Sequence, residues 1–258
     1  MSASRSVAFF GATGGCAGYC MANTLNAGID CVALARTPAK LTKAMLEKGV
    51  SHETLDRHLT IIQGNVKDVE AVKHTLAPKG EVCGKIVCGI GGTPKLQWSI
   101  MRPVVLTDST ICQDAVNTII SALDELKPVR KPILINVSTT GIQPKGMPRD
   151  VPLLFVPFYY YALRDPHEDK MVLQENLARY IRLPESERNM QAYVQVKASL
   201  LMDGPGRGLQ AVRQGIDEKP AVGYTIQRGD VGKWMFEKLV VVKRINPEWV
   251  NKSVSLTY

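Results

Sequence analysis

The chain has 258 residues, of which 45% are hydrophobic, and a formal net charge of +8 at pH 7. This length and apolar content allow one large α/β domain, so we expect residues 1–258 to form a single domain. No apolar run reaches the roughly 18 residues of a membrane span, and the N-terminus lacks the zones of a signal peptide. We therefore expect a cytoplasmic protein without a membrane partner. Lys and Arg are scattered along the sequence, which argues against nucleic-acid binding.

The cysteines are the residues to consider for a metal site or for disulfides. None belongs to a CxxC pair, and each falls within a predicted strand or helix. This pattern predicts buried, reduced thiols and no metal site. The six positions are Cys16, Cys20, Cys31, Cys83, Cys88 and Cys112.

The first predicted strand, residues 6–10, ends at a glycine-rich turn, and an apolar helix follows over 16–27. Glycines in this context allow a tight turn and a close approach of the backbone to a pyrophosphate. The N–H groups at the helix N-terminus would face the phosphate charge. A tight turn without a ligand is the alternative. The predicted cofactor contacts here are Gly11, Ala12, Thr13, Gly14, Gly15 and Cys16.

The second predicted strand, residues 30–36, ends at the position that distinguishes NAD from NADP. A carboxylate there would bind the ribose 2′-hydroxyl of NAD, whereas an arginine pairs with the 2′-phosphate of NADP. The residue is Arg36, followed by Thr37, and both are predicted cofactor contacts. Arg36 favours NADP, and a surface arginine at a strand end is the alternative.

A helix over 38–48 and a polar connection over 49–57 lead to a third strand, residues 59–63. In dinucleotide-binding folds the loop after this strand lies against the adenine. Asn65 and Val66 are therefore predicted adenine contacts, with an ordinary strand-to-helix loop as the alternative.

The fourth predicted strand, residues 85–92, follows a helix over 68–76 and ends in glycines. Glycines at the carboxyl end of a central strand let the backbone lie close to a ligand, and open α/β sheets bind ligands at that end. The predicted cofactor contacts are Gly89, Ile90 and Gly91.

The fifth predicted strand covers 132–138, after a long helix that runs to about residue 127 and that Asp108 or Ser109 is expected to cap. The repeated alternation of strand and helix implies right-handed crossovers and a parallel sheet covered on both faces. The predicted fold class is α/β, a Rossmann-like doubly wound parallel sheet.

The remaining segments are expected to build a small C-terminal substrate-binding lobe from residues 141–164 and 184–258. Strands are predicted over 192–198, 221–226 and 249–256, the last of them at an edge of a sheet.

Several of these segments occur together in one known group of proteins. They are Gly11-Ala12-Thr13-Gly14, Arg36, Asn65-Val66, Gly89 to Gly92 and Ser138-Thr139. The combination resembles the atypical short-chain dehydrogenase/reductase group and, more narrowly, its NAD(P)H-binding, NmrA-like branch. The resemblance covers nearly the whole chain and implies a Rossmann fold with a nicotinamide cofactor. Ala17 stands where many members have a third glycine, a difference that close helix packing tolerates.

Classical members of this group polarise the substrate carbonyl with a Tyr-x-x-x-Lys pair on a helix. The spacing occurs at Tyr193 and Lys197, but the surrounding sequence alternates as a strand does. On a strand the two residues lie roughly 13 Å apart, at about 3.3 Å per residue. We interpret this match as coincidental.

The segment after the fifth strand is a better candidate for the chemistry. Asp165 and Pro166 predict the start of a helix that ends near Arg182, and His167 and Lys170 then share one helical face. The resemblance implies that Lys170 holds the nicotinamide ribose, and a solvated helix lysine is the alternative. His167 is either an acid or base with a pKa near neutrality or a surface residue.

Ser138 and one tyrosine, Tyr160 or Tyr161, are the predicted hydrogen-bond donors to a substrate carbonyl oxygen. Ser138 is also a predicted cofactor contact, and a role limited to capping the strand end is its alternative. The long loop 141–164 carries an apolar run at 153–158 and is expected to cover the nicotinamide end of the cleft. This loop favours an apolar, aromatic substrate.

These features predict an NADPH-dependent reductase acting on a carbonyl or enone of a small, mainly apolar molecule, for which an aromatic polyketide is one candidate. Two alternatives stay open. One is a non-catalytic NADP sensor that binds a protein partner, and the other is a non-redox isomerase or dehydratase that uses His167 and a tyrosine. For the oligomeric state we consider a homodimer.

Overall fold

The computed structural model describes residues 6–92, 94–96, 104–157, 159 and 164–258. The strands are β1 (Val7–Phe10), β2 (Cys31–Ala35), β3 (Leu59–Gln63), β4 (Lys85–Cys88), β5 (Pro94–Leu96), β6 (Val104–Leu106), β7 (Ile133–Thr139), β8 (Ala192–Ala198), β9 (Leu200–Met202), β10 (Arg213–Ile216), β11 (Thr225–Gln227) and β12 (Lys252–Thr257). The helices are α1 (Gly15–Asn26), α2 (Pro38–Glu47), α3 (His52–His58), α4 (Val69–Leu76), α5 (Ile111–Leu126), α6 (Arg164–Ile181) and α7 (Arg228–Met235).

The central sheet has eight strands in the order β10-β12-β8-β7-β4-β1-β2-β3. Its pairs are parallel except for β10 with β12. The chain moves outward from β1 through β2 to β3 and then returns to place β4 on the other side of β1. The carboxyl ends of β1 and β4 therefore flank a topological switch point, where open α/β sheets bind ligands.

Helices cover both faces of this sheet. Phe9, Val87 and Ile135 pack on the face that α1 and α7 cover, and Phe10 and Leu134 pack on the opposite face beneath α4, α5 and α6. Strands buried on both faces explain the nearly continuous apolar runs in the sequence. The prediction of a Rossmann-like doubly wound parallel sheet is confirmed.

The prediction of a polar connection over 49–57 is wrong, because α3 lies there. The Ser51 hydroxyl accepts a hydrogen bond from the Thr54 backbone N–H at 3.1 Å and so caps this helix. Arg57 and Glu53 form an ion pair one turn apart on its exposed face. A short helix with one buried apolar residue, Leu55, has too weak a periodicity for sequence analysis to detect.

The cap predicted for α5 is also wrong. This helix begins at Ile111, and its Cys112 and Gln113 backbone N–H groups donate to the carboxylate of Asp169 at 2.8 and 2.9 Å. Asp169 belongs to α6 and is buried. The acceptor comes from a helix more than 50 residues later in the chain, so the local sequence around 108–110 did not indicate it.

The last strand, β12, is internal and not at an edge as predicted. It lies between β8, which pairs with it in parallel, and β10, which pairs with it antiparallel. The strand β10 was not predicted, and without it β12 would lie at the edge of the sheet. The strand predicted over 221–226 is short, and it pairs with β9 in a separate two-stranded sheet.

All six cysteines are buried and free, as predicted. Burial raises the pKa of the Cys16 thiol to about 12, against the opposing influence of the Arg228 and Lys170 charges. In the described ranges no group of His, Cys, Asp and Glu side chains has the arrangement of a metal site. None of the helices described is both long enough and apolar enough to cross a membrane.

Candidate cofactor and substrate site

The glycine turn between β1 and α1 packs directly against the end of β4. Gly11 has a φ of +76°, and a Cβ on it would lie 2.7 Å from the carbonyl carbon of Gly89. A Cβ on Gly89 would in turn lie 2.5 Å from the Cβ of Ala17. The close approach of α1 to the strand ends thus requires Gly11, Gly89 and the small Ala17.

A cavity of about 290 Å³ lies at this switch point, and we call it the turn cavity. The predicted cofactor residues of the glycine turn that line it are Gly11, Gly14, Gly15 and Cys16. The predicted residues that line it after β4 are Gly89, Ile90 and Gly91. Ala12 and Thr13 belong to the same turn but do not line the cavity.

Ser138 and Lys170 meet in the turn cavity from different elements. Ser138 ends the buried part of β7, and Lys170 extends from α6 so that its Nζ donates to the Val137 carbonyl oxygen at 3.3 Å. The Ser138 Oγ is buried and has no hydrogen-bond partner in the described part of the chain. An unsatisfied buried hydroxyl costs free energy, which favours a ligand that supplies the missing partner.

The predicted adenosine contacts lie apart from the turn cavity, along the carboxyl ends of β2 and β3. Arg36 and Thr37 are exposed directly after β2. Asn65 is exposed after β3, and its side-chain oxygen accepts the Lys67 backbone N–H at 3.1 Å. Val66 is buried in the core beside α4, which leaves Asn65 as the accessible member of the pair.

A second cavity, of about 380 Å³, lies beneath the loop after β7, and we call it the loop cavity. It is lined by Gly141, Val151, Val156, Tyr159, His167, Glu168 and Met171. Tyr159 lines both cavities, so the two adjoin at its ring. Gly141 has a φ of +89°, and a Cβ there would lie 2.5 Å from the Tyr159 ring and 3.0 Å from the His167 ring. A glycine is therefore needed for these two rings to approach the strand end.

His167 does not match either of its predicted interpretations. The side chain is buried, with 8% of its surface exposed, so it is not a surface residue. Burial and, to a smaller extent, the Lys170 charge lower its pKa to about 4, so it does not titrate near neutrality. Its Nε2 atom is buried without a hydrogen-bond partner among the described residues. At neutral pH His167 is an uncharged imidazole with one nitrogen available to a ligand.

Tyr160 and Tyr161, the predicted proton donors, lie outside the described residues. The neighbouring Tyr159 is buried, and its hydroxyl accepts a 3.4 Å hydrogen bond from the Thr140 Oγ1. Burial raises the pKa of Tyr159 above its usual value. Tyr159 was not a predicted site residue, because three consecutive tyrosines offer no local pattern that distinguishes them.

The Tyr193 and Lys197 pair is structural, as expected from the strand interpretation. Both residues lie on β8 and are buried. The Lys197 Nζ donates to Gln143 at 2.8 Å and forms an ion pair with Asp217 at 3.1 Å. These contacts tie β8 to the loop over the site and to the turn after β10.

Arg228 is a residue of the turn cavity that the sequence analysis missed. It is the first residue of α7, and a Cβ on Gly15 would lie 3.3 Å from its Cδ. Residues 198–201 also line the cavity from the end of β8 and the start of β9. These contributions come from the folding of distant segments onto the glycine turn.

The residues present fit a dinucleotide. A Cβ on Gly14 would have no neighbour within 4 Å, which leaves room for a phosphate group at the N-terminus of α1, where the first N–H groups have no partner within the helix. Ser138 offers an unsatisfied hydroxyl and Lys170 an ammonium group at the opposite end of the same cavity.

The sequence matches the family described as NAD(P)H-binding over residues 11–240. Among curated proteins, the reductase PytE of Aspergillus terreus is 42% identical over 268 aligned residues, which cover 100% of both chains. The oxidase PynE of Aspergillus niger is 34% identical over 97% of this chain and 98% of its own.

Solved structures show the same fold at low sequence identity. A short-chain dehydrogenase/reductase from Veillonella parvula in complex with NADP has a TM-score of 0.64 at 14% identity, covering 98% of this chain and 94% of that chain. ChuY of Escherichia coli O157:H7, an anaerobillin reductase, has a TM-score of 0.63 at 16% identity, covering 97% of this chain and 96% of that chain. The predicted resemblance to atypical short-chain dehydrogenases/reductases is confirmed, and this chain belongs to the NAD(P)H-binding family.

Proposed function

We propose that this protein is an NADPH-dependent oxidoreductase that reduces a carbonyl or enone of a small, mainly apolar molecule. The observation that carries the proposal is the meeting of Ser138 and Lys170 with the glycine turn in one cavity. Both related fungal proteins carry oxidoreductase names, a reductase and an oxidase, which supports redox chemistry for this chain as well.

The choice of NADP rests on Arg36. It lies exposed after β2, beside the strand that carries the glycine turn, where a guanidinium group can pair with a 2′-phosphate. The NADP complex of the Veillonella parvula protein supports this choice by analogy of fold.

The bound nicotinamide would supply the hydride. Lys170 would hold the nicotinamide ribose at the end of β7. The Ser138 hydroxyl would donate a hydrogen bond to the carbonyl oxygen of the substrate as negative charge develops on that oxygen. Tyr160 or Tyr161 remains the proposed proton donor. His167 is neutral at physiological pH, so its proposed part is to hydrogen-bond the substrate through Nε2 and not to carry a positive charge.

The loop cavity is the proposed place of the substrate. It adjoins the turn cavity at Tyr159, and Val151, Val156 and Met171 give it apolar walls. An apolar or aromatic substrate, such as a polyketide, would bury its surface there while its carbonyl reaches Ser138. Residues 141–164 and the parts of 184–258 that lie outside the central sheet and the turn cavity are the proposed substrate lobe.

The first experiment is a fluorescence titration of the purified protein with NADPH and NADH, repeated with Arg36→Ala. We expect Arg36→Ala to weaken NADPH binding by about 10- to 100-fold and to leave NADH binding unchanged, because the lost contact is a charge-assisted hydrogen bond to the 2′-phosphate. The exposed Arg57→Ala on α3 is the matched control and should bind both nucleotides as the unaltered protein does. If neither nucleotide binds, the proposed function is wrong.

A non-catalytic NADP sensor is a second candidate function. It is favoured by the structural role of Lys197, which leaves no Tyr-x-x-x-Lys pair on a helix in the described ranges. Steady consumption of NADPH with a panel of ketones and quinones would support the reductase, whereas tight binding without turnover would support the sensor. The low pKa of His167 argues against an isomerase or dehydratase in which a histidinium acts as the acid.

A further inference from the structure

Arg228 lies beside the glycine turn because α7 packs closely on α1. A Cβ on Gly232 of α7 would lie 2.5 Å from the Tyr19 Cβ and 2.7 Å from the Cys16 carbonyl oxygen. Only glycine permits this approach of the two helices. The first residue of α7 is therefore fixed next to the N-terminus of α1.

The Arg228 side chain extends over the turn itself. Its Cδ lies 3.3 Å from the position that a Cβ on Gly15 would occupy, and its positive charge acts on the Cys16 thiol in the first turn of α1. The guanidinium group thus adds a full positive charge where the helix already presents unpaired N–H groups.

The charges that line the turn cavity are all positive. Among the described residues of its lining, Arg228 and Lys170 are charged and no carboxylate is present. The Lys170 Nζ lies at the end of β7, which is two strand positions from β1 and so roughly 10 Å away, at about 4.8 Å per strand. The Lys170 charge also acts on the Cys16 thiol, but less strongly than the Arg228 charge does, so Arg228 is the cation closer to the glycine turn.

Among the described residues, Arg228 has an ion-pair partner that does not line the turn cavity. Its Nη1 lies 2.9 Å from the Oδ2 of Asp203, which follows β9. The Asp203 side chain is 83% exposed, whereas that of Arg228 is 30% exposed. An exposed ion pair of this kind contributes little free energy, so a stronger anion can displace the carboxylate.

We propose that Arg228 binds the diphosphate of the dinucleotide and that Asp203 competes with the diphosphate for its guanidinium group. This inference rests on the proposed function, since it concerns the same cofactor site. It assigns the two phosphate positions to different arginines. Arg36 recognises the 2′-phosphate that NADPH alone carries, and Arg228 recognises the diphosphate that NADPH and NADH share.

The test compares both nucleotides across three variants. Arg228→Gln is expected to raise the dissociation constants of NADPH and NADH by the same factor, about 10- to 100-fold, whereas Arg36→Ala raises that of NADPH alone. Asp203→Asn is expected to lower both constants about 2- to 5-fold, because it removes the competing carboxylate. Glu47→Gln, an exposed carboxylate on α2, is the control and should change neither.

The outcomes separate this inference from the proposed function. If the unaltered protein binds NADPH and Arg228→Gln changes neither constant, the Arg228 assignment alone is overturned. A loss confined to NADPH would overturn the assignment to the diphosphate. Unchanged binding by Asp203→Asn would overturn the competition. Thermal unfolding of each variant verifies that it is folded, and Arg228→Lys, which keeps the charge, is expected to recover part of the affinity for both nucleotides.

Discussion

The two ends of the turn cavity are built in different ways. At one end, Gly11, Gly14 and Gly15 follow β1 within a few residues, and one short segment supplies the whole turn. At the other end, Ser138 and Lys170 come from β7 and α6, and Arg228, which extends over the turn, comes from α7, about 90 residues after Ser138 in the chain. The glycine turn is therefore encoded locally, whereas the polar side chains that line the rest of the cavity depend on long-range packing.

The clearest way to test this difference is to compare two helix caps. Asp169 accepts the Cys112 and Gln113 N–H groups across two helices in a buried setting, whereas Asp68 caps α4 locally and is exposed. We expect Asp169→Ala to lower the free energy of unfolding by about 3 kcal/mol, since it leaves the buried Cys112 donor and the half-buried Gln113 donor unsatisfied. Asp68→Ala should cost about 1 kcal/mol.

Chemical denaturation of the two variants measures both values. Asp169→Asn keeps one oxygen acceptor and is expected to fall between Asp169→Ala and the unaltered protein. Equal losses for Asp169→Ala and Asp68→Ala would contradict the view that the long-range contact is the stronger one. Because Asp169 is adjacent to Lys170, its loss should also weaken nucleotide binding, while Asp68→Ala should not.

The local end of the cavity can be disrupted by a single methyl group. A Cβ on Gly89 would lie 2.5 Å from the Ala17 Cβ, so Gly89→Ala is expected to destabilise the fold by about 2 kcal/mol and to push α1 away from β4. The double variant Gly89→Ala with Ala17→Gly exchanges the two side chains and should recover most of the loss. A double-mutant cycle of unfolding free energies measures the coupling. Additive effects would show that the two positions are not in contact.

The features that the sequence could predict are the locally encoded ones, and those it could not predict depend on long-range packing. The strands β1 to β4 and the turn after β1 were predictable because glycine spacing and apolar runs are local signals. Asp169 and Arg228 were not, because their partners are brought to them by folding and leave no mark on neighbouring residues. The interpretation of His167 failed for the same reason. Its position on a helix was predicted from Asp165 and Pro166, but its burial depends on Gly141 and Tyr159.

The smallest expected effect concerns the pH dependence that the burial of His167 introduces. Its pKa is about 4 in the folded protein and 6.5 in the unfolded chain, so between these values the unfolded chain binds more protons. Stability is therefore present above pH 6.5 and is lost as the pH falls toward 4, with about 1 kcal/mol lost between pH 6.5 and 5.5. The contribution of Asp150 to stability changes with pH in the opposite direction, because burial raises the pKa of its carboxyl group.

The contribution of His167 is therefore isolated by comparison with His167→Gln, which cannot titrate. Denaturation at pH 6.5 and 5.5 should show a steeper loss of stability for the unaltered protein than for the variant, by about 1 kcal/mol. Parallel loss in the two proteins would mean that burial does not lower the pKa of His167, so that it titrates in the folded protein as it does in the unfolded chain. Such a titration would contradict its proposed part as a group that stays neutral in the loop cavity. It would also return an acid to the site and so favour an isomerase or dehydratase over the reductase.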